Sequence, residues 1–228
     1  MTSPRRAIAL IALLVRSPKV DVVVSDSEAG QALGQHLDER FLGIFPQNRL
    51  CQGVLILPER PSDYLCGRRR RTVRTNLRRA VAAGIHCETI DSPSDALDAA
   101  WRVVHARRAP TNADDLATLT GGLPTLFGRP EVTLLVARDH DSSPRAVAAV
   151  VIDDNVCLIR LAVSSSHEAR WALHHHLVLT LIARRVKYLL AACDGPFGAL
   201  GLARNEQYYQ HLLGYDLCHV GTREKAGL

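Results

Sequence analysis

Residues 146–184 read AVAAVVIDDNVCLIRLAVSSSHEARWALHHHLVLTLIAR, and the fold turns on how this stretch is parsed. Two apolar runs, Ala146 to Ile152 and Val156 to Val163, are separated by Asp153-Asp154-Asn155, a hairpin turn signal, so they are expected to pair antiparallel. Ser165-Ser166-His167-Glu168 has capping-box spacing. Ala169, Ala172, Leu173, Leu177 and Leu181 then offer themselves to a core, which predicts a long helix over Ser166 to Arg184.

Outward from this stretch, Val132 to Ala137 reads as the first strand of a three-strand meander, and Tyr188 to Ala192 as a strand after the helix. Asn205 to Leu213 reads as a short helix capped by Gly214, and Tyr215 to Val220 as a final strand. Upstream, His86 to Ile90 is a strand. Ser92-Pro93-Ser94-Asp95 opens a helix with a serine cap and proline at its first position, and Leu97, Trp101 and Val104 are its expected buried stripe. A second helix is expected after Thr111, ended by Gly121-Gly122-Leu123-Pro124.

The N-terminal part offers a strand, Val20 to Val24, a helix over Ser27 to Arg40 capped by Asp26, and a strand, Gly53 to Leu57, closed by Pro58. Pro61 and Ser62 open a helical region with Val73, Leu77, Ala80 and Val81 at helical spacing and Gly84 as its C-terminal cap. Seven arginines lie between Arg68 and Arg79. Arg71, Arg74 and Arg78 fan out beside the apolar stripe while Arg68 and Arg79 cover the back, which makes either a solvated face or an anion-binding surface.

Length and composition set limits on all of this. A chain of 228 residues holds one compact domain with an extension, read here as 1–85 and 86–228, and 47% apolar with 22% charged residues suffices for a sizeable core without large-scale disorder. The net charge of +5 is nearly all arginine, compatible with coenzyme A or RNA as anionic partners. Six cysteines without a Cys-x-x-Cys spacing read as reduced thiols of a cytoplasmic protein. The apolar run Ala7 to Val15 is broken by Arg16 and Lys19, which predicts a buried element and no membrane span.

From His86 to Val220 the order is strand, two helices, three meandering strands, helix, strand, helix, strand. That order resembles the GNAT acyltransferases, with Asn205-Glu206-Gln207-Tyr208-Tyr209-Gln210-His211-Leu212-Leu213-Gly214-Tyr215 similar to the signature near that family's C-terminus. The resemblance implies a GNAT-like α/β fold, a mixed, mostly antiparallel sheet flanked by helices, that moves an acyl group from acetyl-coenzyme A or another acyl-coenzyme A to a small-molecule or peptide amine. It implies a strand over Leu158 to Val163 splayed from its neighbour to meet the donor, with Leu161, Ala162 and Val163 on it. It also implies an anion loop over Ser164 to Ala172 containing Ser165, Ser166, Arg170, Trp171 and Ala172, a donor contact at Asn205, and Tyr208 or Tyr209 as general acid.

The family's loop carries glycines, whereas Arg170 is followed here by Trp171, Ala172 and Leu173. The segment Tyr64 to Gly84, ending Arg78-Arg79-Ala80-Val81-Ala82-Ala83-Gly84-Ile85, resembles the helix that precedes the fold in the Fem-type aminoacyltransferases. That branch implies an aminoacyl-tRNA donor held through Arg68, Arg71, Arg74 and Arg78. A non-catalytic binding protein on a decayed GNAT fold is the rival. Bland readings stand beside each site residue: core packing for Tyr208 and Tyr209, and a helix cap for Asn205. Asp153, Asp154 and Asp194 are turn residues, and His174-His175-His176 is a run whose members point 100° apart and form no metal site.

Overall fold

The computed structural model describes residues 17–41, 45–50, 52–106, 122–191 and 206–224. The deciding stretch folds as expected. Strand β7 (Pro144–Asp153) turns through Asp154, at φ 42°, and Asn155 into its neighbour β8 (Val156–Ser164). β6 (Val132–Arg138) pairs antiparallel with β7 on the other side, and β5 (His86–Ile90) pairs antiparallel with β6.

The remaining strands are β1 (Lys19–Val24), β2 (Arg40–Phe41), β3 (Phe45–Pro46), β4 (Gln52–Ile56), β9 (Tyr188–Leu190) and β10 (Asp216–Glu224). One eight-stranded sheet has the order β1-β10-β4-β9-β8-β7-β6-β5, and β2 with β3 forms a separate ribbon. The helices are α1 (Glu28–Asp38), α2 (Gln47–Leu50), α3 (Pro61–Tyr64), α4 (Arg71–Ala82), α5 (Pro93–His105), α6 (His167–Ala183) and α7 (Glu206–Leu213). None of the described helices is long and apolar enough to cross a membrane. The four described cysteines, Cys66, Cys87, Cys157 and Cys218, are not disulfide-bonded.

The chain divides into two compact units. The first comprises Met1–Leu57, Asp153–Leu158 and Val186–Leu228. Within it β1 runs parallel to β10, β10 antiparallel to β4, and β4 antiparallel to β9, while β9 runs parallel to the first three residues of β8. The Asp153 carboxylate ties the start of α1 to the hairpin turn by accepting from Ser25 N (2.8 Å), Ser25 Oγ (2.6 Å) and Ser27 Oγ (3.1 Å). Ser27 Oγ in turn accepts from Gly30 N, so Ser27 and not Asp26 is the cap of α1.

The second unit comprises Pro58–Ile152 and Ile159–Arg185. Side chains alternate across its sheet. Leu134, Val136, Val147 and Ala149 join α5 in one apolar cluster, which leaves the equally buried Leu135, Ala137, Ala146 and Ala148 to the other face, where α6 packs on β5 and β6. The α5 stripe differs from expectation. Ala96, Ala99, Ala100 and Val103 are buried with Val104, whereas Trp101 is half-exposed and stacks on His105. Small residues let the helix lie close to the sheet, so the bulky indole is turned outward. Residues 122–127 are helical, so Gly122-Leu123-Pro124 lies in a helix rather than closing one. The segments Ala7 to Val15 and Thr111 to Gly121 lie outside the described residues.

Candidate functional site

In the second unit the start of α6 is assembled from β8, a short loop and the first helical turn. β8 has paired partners on β9 only for Val156, Cys157 and Leu158, and its backbone continues to Ser164 beyond that pairing. Along this length Arg160 and Ala162 are exposed, Leu161 is half-buried against the apolar cluster, and Val163 is within it. Ser165 pins the loop to β7, since both its N–H (2.8 Å) and its Oγ (3.2 Å) donate to the Arg145 carbonyl.

Ser166 is the N-cap, one residue later than the capping-box spacing from Ser165 predicts. Its Oγ accepts from Ala169 N at 3.2 Å and donates to Glu168 Oε2 at 3.0 Å. The shift leaves Glu168 one position too early to reach the backbone N–H of the cap, and its carboxylate turns to the cap's hydroxyl and to its own backbone N–H instead. That bond, then Ser166 Oγ, holds the Glu168 carboxyl below its ordinary range against the desolvation penalty, with smaller attractions from His167 and Arg79. Of the first three amides of α6, Glu168's is therefore taken by its own side chain and Ala169's by Ser166. A carboxylate stands where an anion would bind, and these residues do not fit a pyrophosphate at this turn.

The rest of the turn is equally committed. Trp171 is buried at 2% exposure and donates its Nε1 to His167 Nε2 at 3.0 Å, so its side chain is a core group and not part of an open loop. Ala172 is half-buried and Arg170 exposed. Neither Glu168 nor His167 stands out as a site residue from sequence; the signals are the Ser-x-x-Glu spacing and the four-residue separation of His167 from Trp171.

The arginine segment runs along α6, with α4 lying against it: Arg79 acts on Glu168, and the Tyr64 ring stacks on His175 two turns further on. The helical region is broken. α3 ends at Tyr64, Gly67 takes φ 83°, a 3-10 turn spans Arg68–Arg70, and α4 then starts at Arg71. Two arginines hold this break together. The Arg70 guanidinium lies 4.8 Å from the centroid of the buried Tyr64 ring, and Arg74 Nη1 donates to the carbonyls of Leu65 and of Gly67 (2.9 Å). Arg74 is thus turned into the structure, not fanned outward with Arg71 and Arg78, because the broken helix leaves carbonyls that need a donor.

The guanidinium groups of Arg68, Arg69, Arg71, Arg78 and Arg79 are exposed and make no hydrogen bond or ion pair among the described residues. Val73, Asn76 and Ala80 face inward, while Val81, expected in the stripe, is exposed at 76%. Gly84, at φ 66°, closes α4: its N–H donates to Val81 O and that of Ile85 to Ala80 O, the paired bonds of a Schellman motif.

The three histidines separate as expected for a helix. His174 is buried, and desolvation, helped by His175, Arg70 and Arg170, pulls it down to about 3. Burial also lowers the half-buried His175 and His176. The described residues hold one group able to share a metal ion, Asp139 with His140 and Asp141, but Asp139 already accepts from Arg145 Nε at 2.7 Å and from the amides of Asp141 and Ser143. Tyr209 is half-buried on α7 in the first unit. Asn205 and the side chain of Tyr208 lie outside the described residues.

No protein-family model and no curated protein matches the sequence. Solved structures do resemble the fold. A conserved protein of unknown function from Bacteroides thetaiotaomicron superposes with a TM-score of 0.51 at 14% identity, over 72% of this chain and 55% of its own. L-PGS from Bacillus licheniformis gives 0.50 at 10% identity, over 73% and 57%. FemX gives 0.49 at 9% identity, over 76% and 60%, too low a likeness to carry a Fem relation. The chain therefore spans little more than half the length of these structures. At such identities the likeness is one of fold, a GNAT-like, mostly antiparallel sheet flanked by helices.

Proposed function

We propose that this chain is an acyltransferase that passes an acyl group to an amine, and that its donor is an aminoacyl-tRNA-type ester rather than acyl-coenzyme A. The observation that carries this reading is the first turn of α6. Glu168, whose carboxylate accepts from Ser166 Oγ at 3.0 Å, places a negative charge where a coenzyme A pyrophosphate would need a positive one. Cations line the neighbouring helix instead, as the five exposed guanidiniums between Arg68 and Arg79, of which Arg79 acts on Glu168. Like charges this dense repel one another, and an RNA backbone neutralises several at once.

In the proposed reaction a neutral amine attacks the ester carbonyl. A C–N bond forms, the C–O bond to the donor breaks, the amine gives up a proton and the departing oxygen takes one. The resemblance makes Tyr208 or Tyr209 the proton donor to that oxygen. The acyl-coenzyme A reading has one observation in its favour: among the described residues β8 has no partner on β9 past Leu158, and such a strand edge is the kind that pairs with pantetheine amides.

Titration of the full chain with aminoacyl-tRNA and with acetyl-coenzyme A, at low and moderate salt, tests the choice. RNA affinity is expected to fall steeply with salt. Replacing Arg68, Arg69, Arg71 and Arg78 by alanine should lower the log–log salt slope by about 0.7–0.9 for each phosphate that is no longer neutralised. Saturable acetyl-coenzyme A binding that Arg170→Ala abolishes, with no RNA binding, would overturn the tRNA reading. Binding of neither would favour a non-catalytic protein on this fold.

A further inference from the structure

The hydrogen bond between Trp171 and His167 has only one possible direction. An indole N–H donates and never accepts, so the 3.0 Å bond from Trp171 Nε1 requires a lone pair on His167 Nε2. The neutral imidazole therefore keeps its proton on Nδ1. The two rings meet edge to face, 5.9 Å apart at 66°, and their settings differ: Trp171 is buried and His167 is exposed. A ring that solvent can protonate is thus bonded to one that the core holds in place.

An imidazolium carries N–H on both nitrogens and accepts nothing. A proton on His167 Nε2 sets two N–H groups against each other and takes this acceptor from a buried indole, so the charged ring turns to an anion. Glu168 is that anion: it is the next residue in the turn, and its carboxyl is already drawn down by His167. The other charges around the turn are cations. Arg170 stands three residues on along α6, and Arg79 on α4 acts on Glu168. The Arg145 guanidinium on β7, whose carbonyl holds Ser165, is bound to Asp139.

We propose that His167 is a proton-operated switch at the first turn of α6: neutral, it is held on Trp171 and leaves the Glu168 carboxylate to itself; protonated, it leaves Trp171 and pairs with Glu168. This rests on the reading of the turn given above, in which the Glu168 carboxylate is what turns a pyrophosphate away, and it adds that a proton on His167 sets the charge of that turn. A failure of the switch is distinguishable from a failure of the donor reading, because neither RNA nor coenzyme A enters the measurement that tests it.

Proton–nitrogen correlation NMR of the full chain reads the bond through the indole N–H of Trp171, which Trp101→Phe tells apart from the other indole of the sequence. Between about pH 8 and 5, the range in which imidazoles change charge, the Trp171 resonance should move along one titration curve away from its hydrogen-bonded position. His167→Gln keeps an oxygen that can accept from the indole but has nothing to titrate, so the resonance should stay put. Glu168→Gln removes the counter-charge of the imidazolium and should move the midpoint to lower pH by a few tenths of a unit. The titration of the parent chain needs neither replacement, so a variant that fails to fold leaves the proposal open to refutation. A Trp171 resonance that does not respond to pH, a response that persists in His167→Gln and so belongs to His174, His175 or His176, or a midpoint unmoved by Glu168→Gln would overturn it.

Discussion

Helices α4 and α6 lie against each other in one unit and are specified by opposite means. α6 buries Ala169, Trp171, Leu173, His174, Leu177, Val178, Leu181 and Ile182, so its apolar surface alone places it. α4 buries only Val73, Asn76 and Ala80, and is positioned by its ends: the Arg74 clamp on the Leu65 and Gly67 carbonyls, the Arg70–Tyr64 contact, and the Schellman turn at Gly84. A helix fixed at its ends has its faces free, and α4 uses that freedom to expose arginines. In α6 the exposed chemistry is confined to the first turn.

Substitutions can break this contrast. Trp171→Ala should have the largest effect, a loss of about 3–5 kcal/mol in chemical denaturation, because removing a fully buried indole leaves a cavity. Trp171→Phe keeps most of the volume and should lose far less, chiefly the bond to His167. If the alanine variant were as stable as the parent, α6 would not be held by its core face.

Next is Arg74→Ala, expected to cost about 1.5–3 kcal/mol, since two carbonyls lose a charged donor. Arg78→Ala should stay within about 0.5 kcal/mol, as an exposed side chain without a bonded neighbour. Equal costs at the two positions would erase the distinction between structural and free arginines.

Acid should act through α6. His174 is held neutral down to about 3 by burial, while in the unfolded chain it protonates near its ordinary 6.5. Its contribution is fully present above pH 6.5 and is lost as the pH falls toward 3, because only the unfolded state gains the proton. The slope is up to about 1.4 kcal/mol per pH unit, and His175 and His176 act in the same direction. His174→Leu should flatten denaturation midpoints plotted against pH over that window, and an unchanged slope would refute the assignment.

Gly84→Ala should cost about 1 kcal/mol, from the positive φ and from a new Cβ only 3.1 Å from His140 Cβ. Thermal unfolding would detect it. A stabilised variant would show that the end of α4 is not where its position is set.

Much of this architecture is legible locally. The hairpin turn at Asp154-Asn155, the serine caps of α5 and α6, the glycines at 84 and 214, and the alternating strands from Val132 to Val163 each depend on neighbours within a few residues. Short-range signals of this kind survive in sequence because the physics is local: a turn needs a residue that tolerates positive φ, and a cap needs a side-chain oxygen beside orphan amides. The capping-box spacing still misplaces the cap of α6 by one residue, at Ser165 where the structure has Ser166, and that single step decides whether Glu168 reaches the backbone N–H of the cap or stays on the cap's hydroxyl and its own amide.

Pairing and burial are settled by tertiary structure. Nothing within reach of Gln52–Ile56 says that it inserts between β10 and β9, or that β1 aligns parallel to β10, because strand partners come from distant segments whose register is set by the shared core. Periodicity places Val81 inside and the arginines outside, yet Val81 is exposed and Arg74 is turned inward. The sequence by itself determined which segments become strands and helices and where most of them stop. Only the tertiary structure decided which arginines are free and which anion occupies the start of α6, since both depend on the polar groups that folding leaves without a partner.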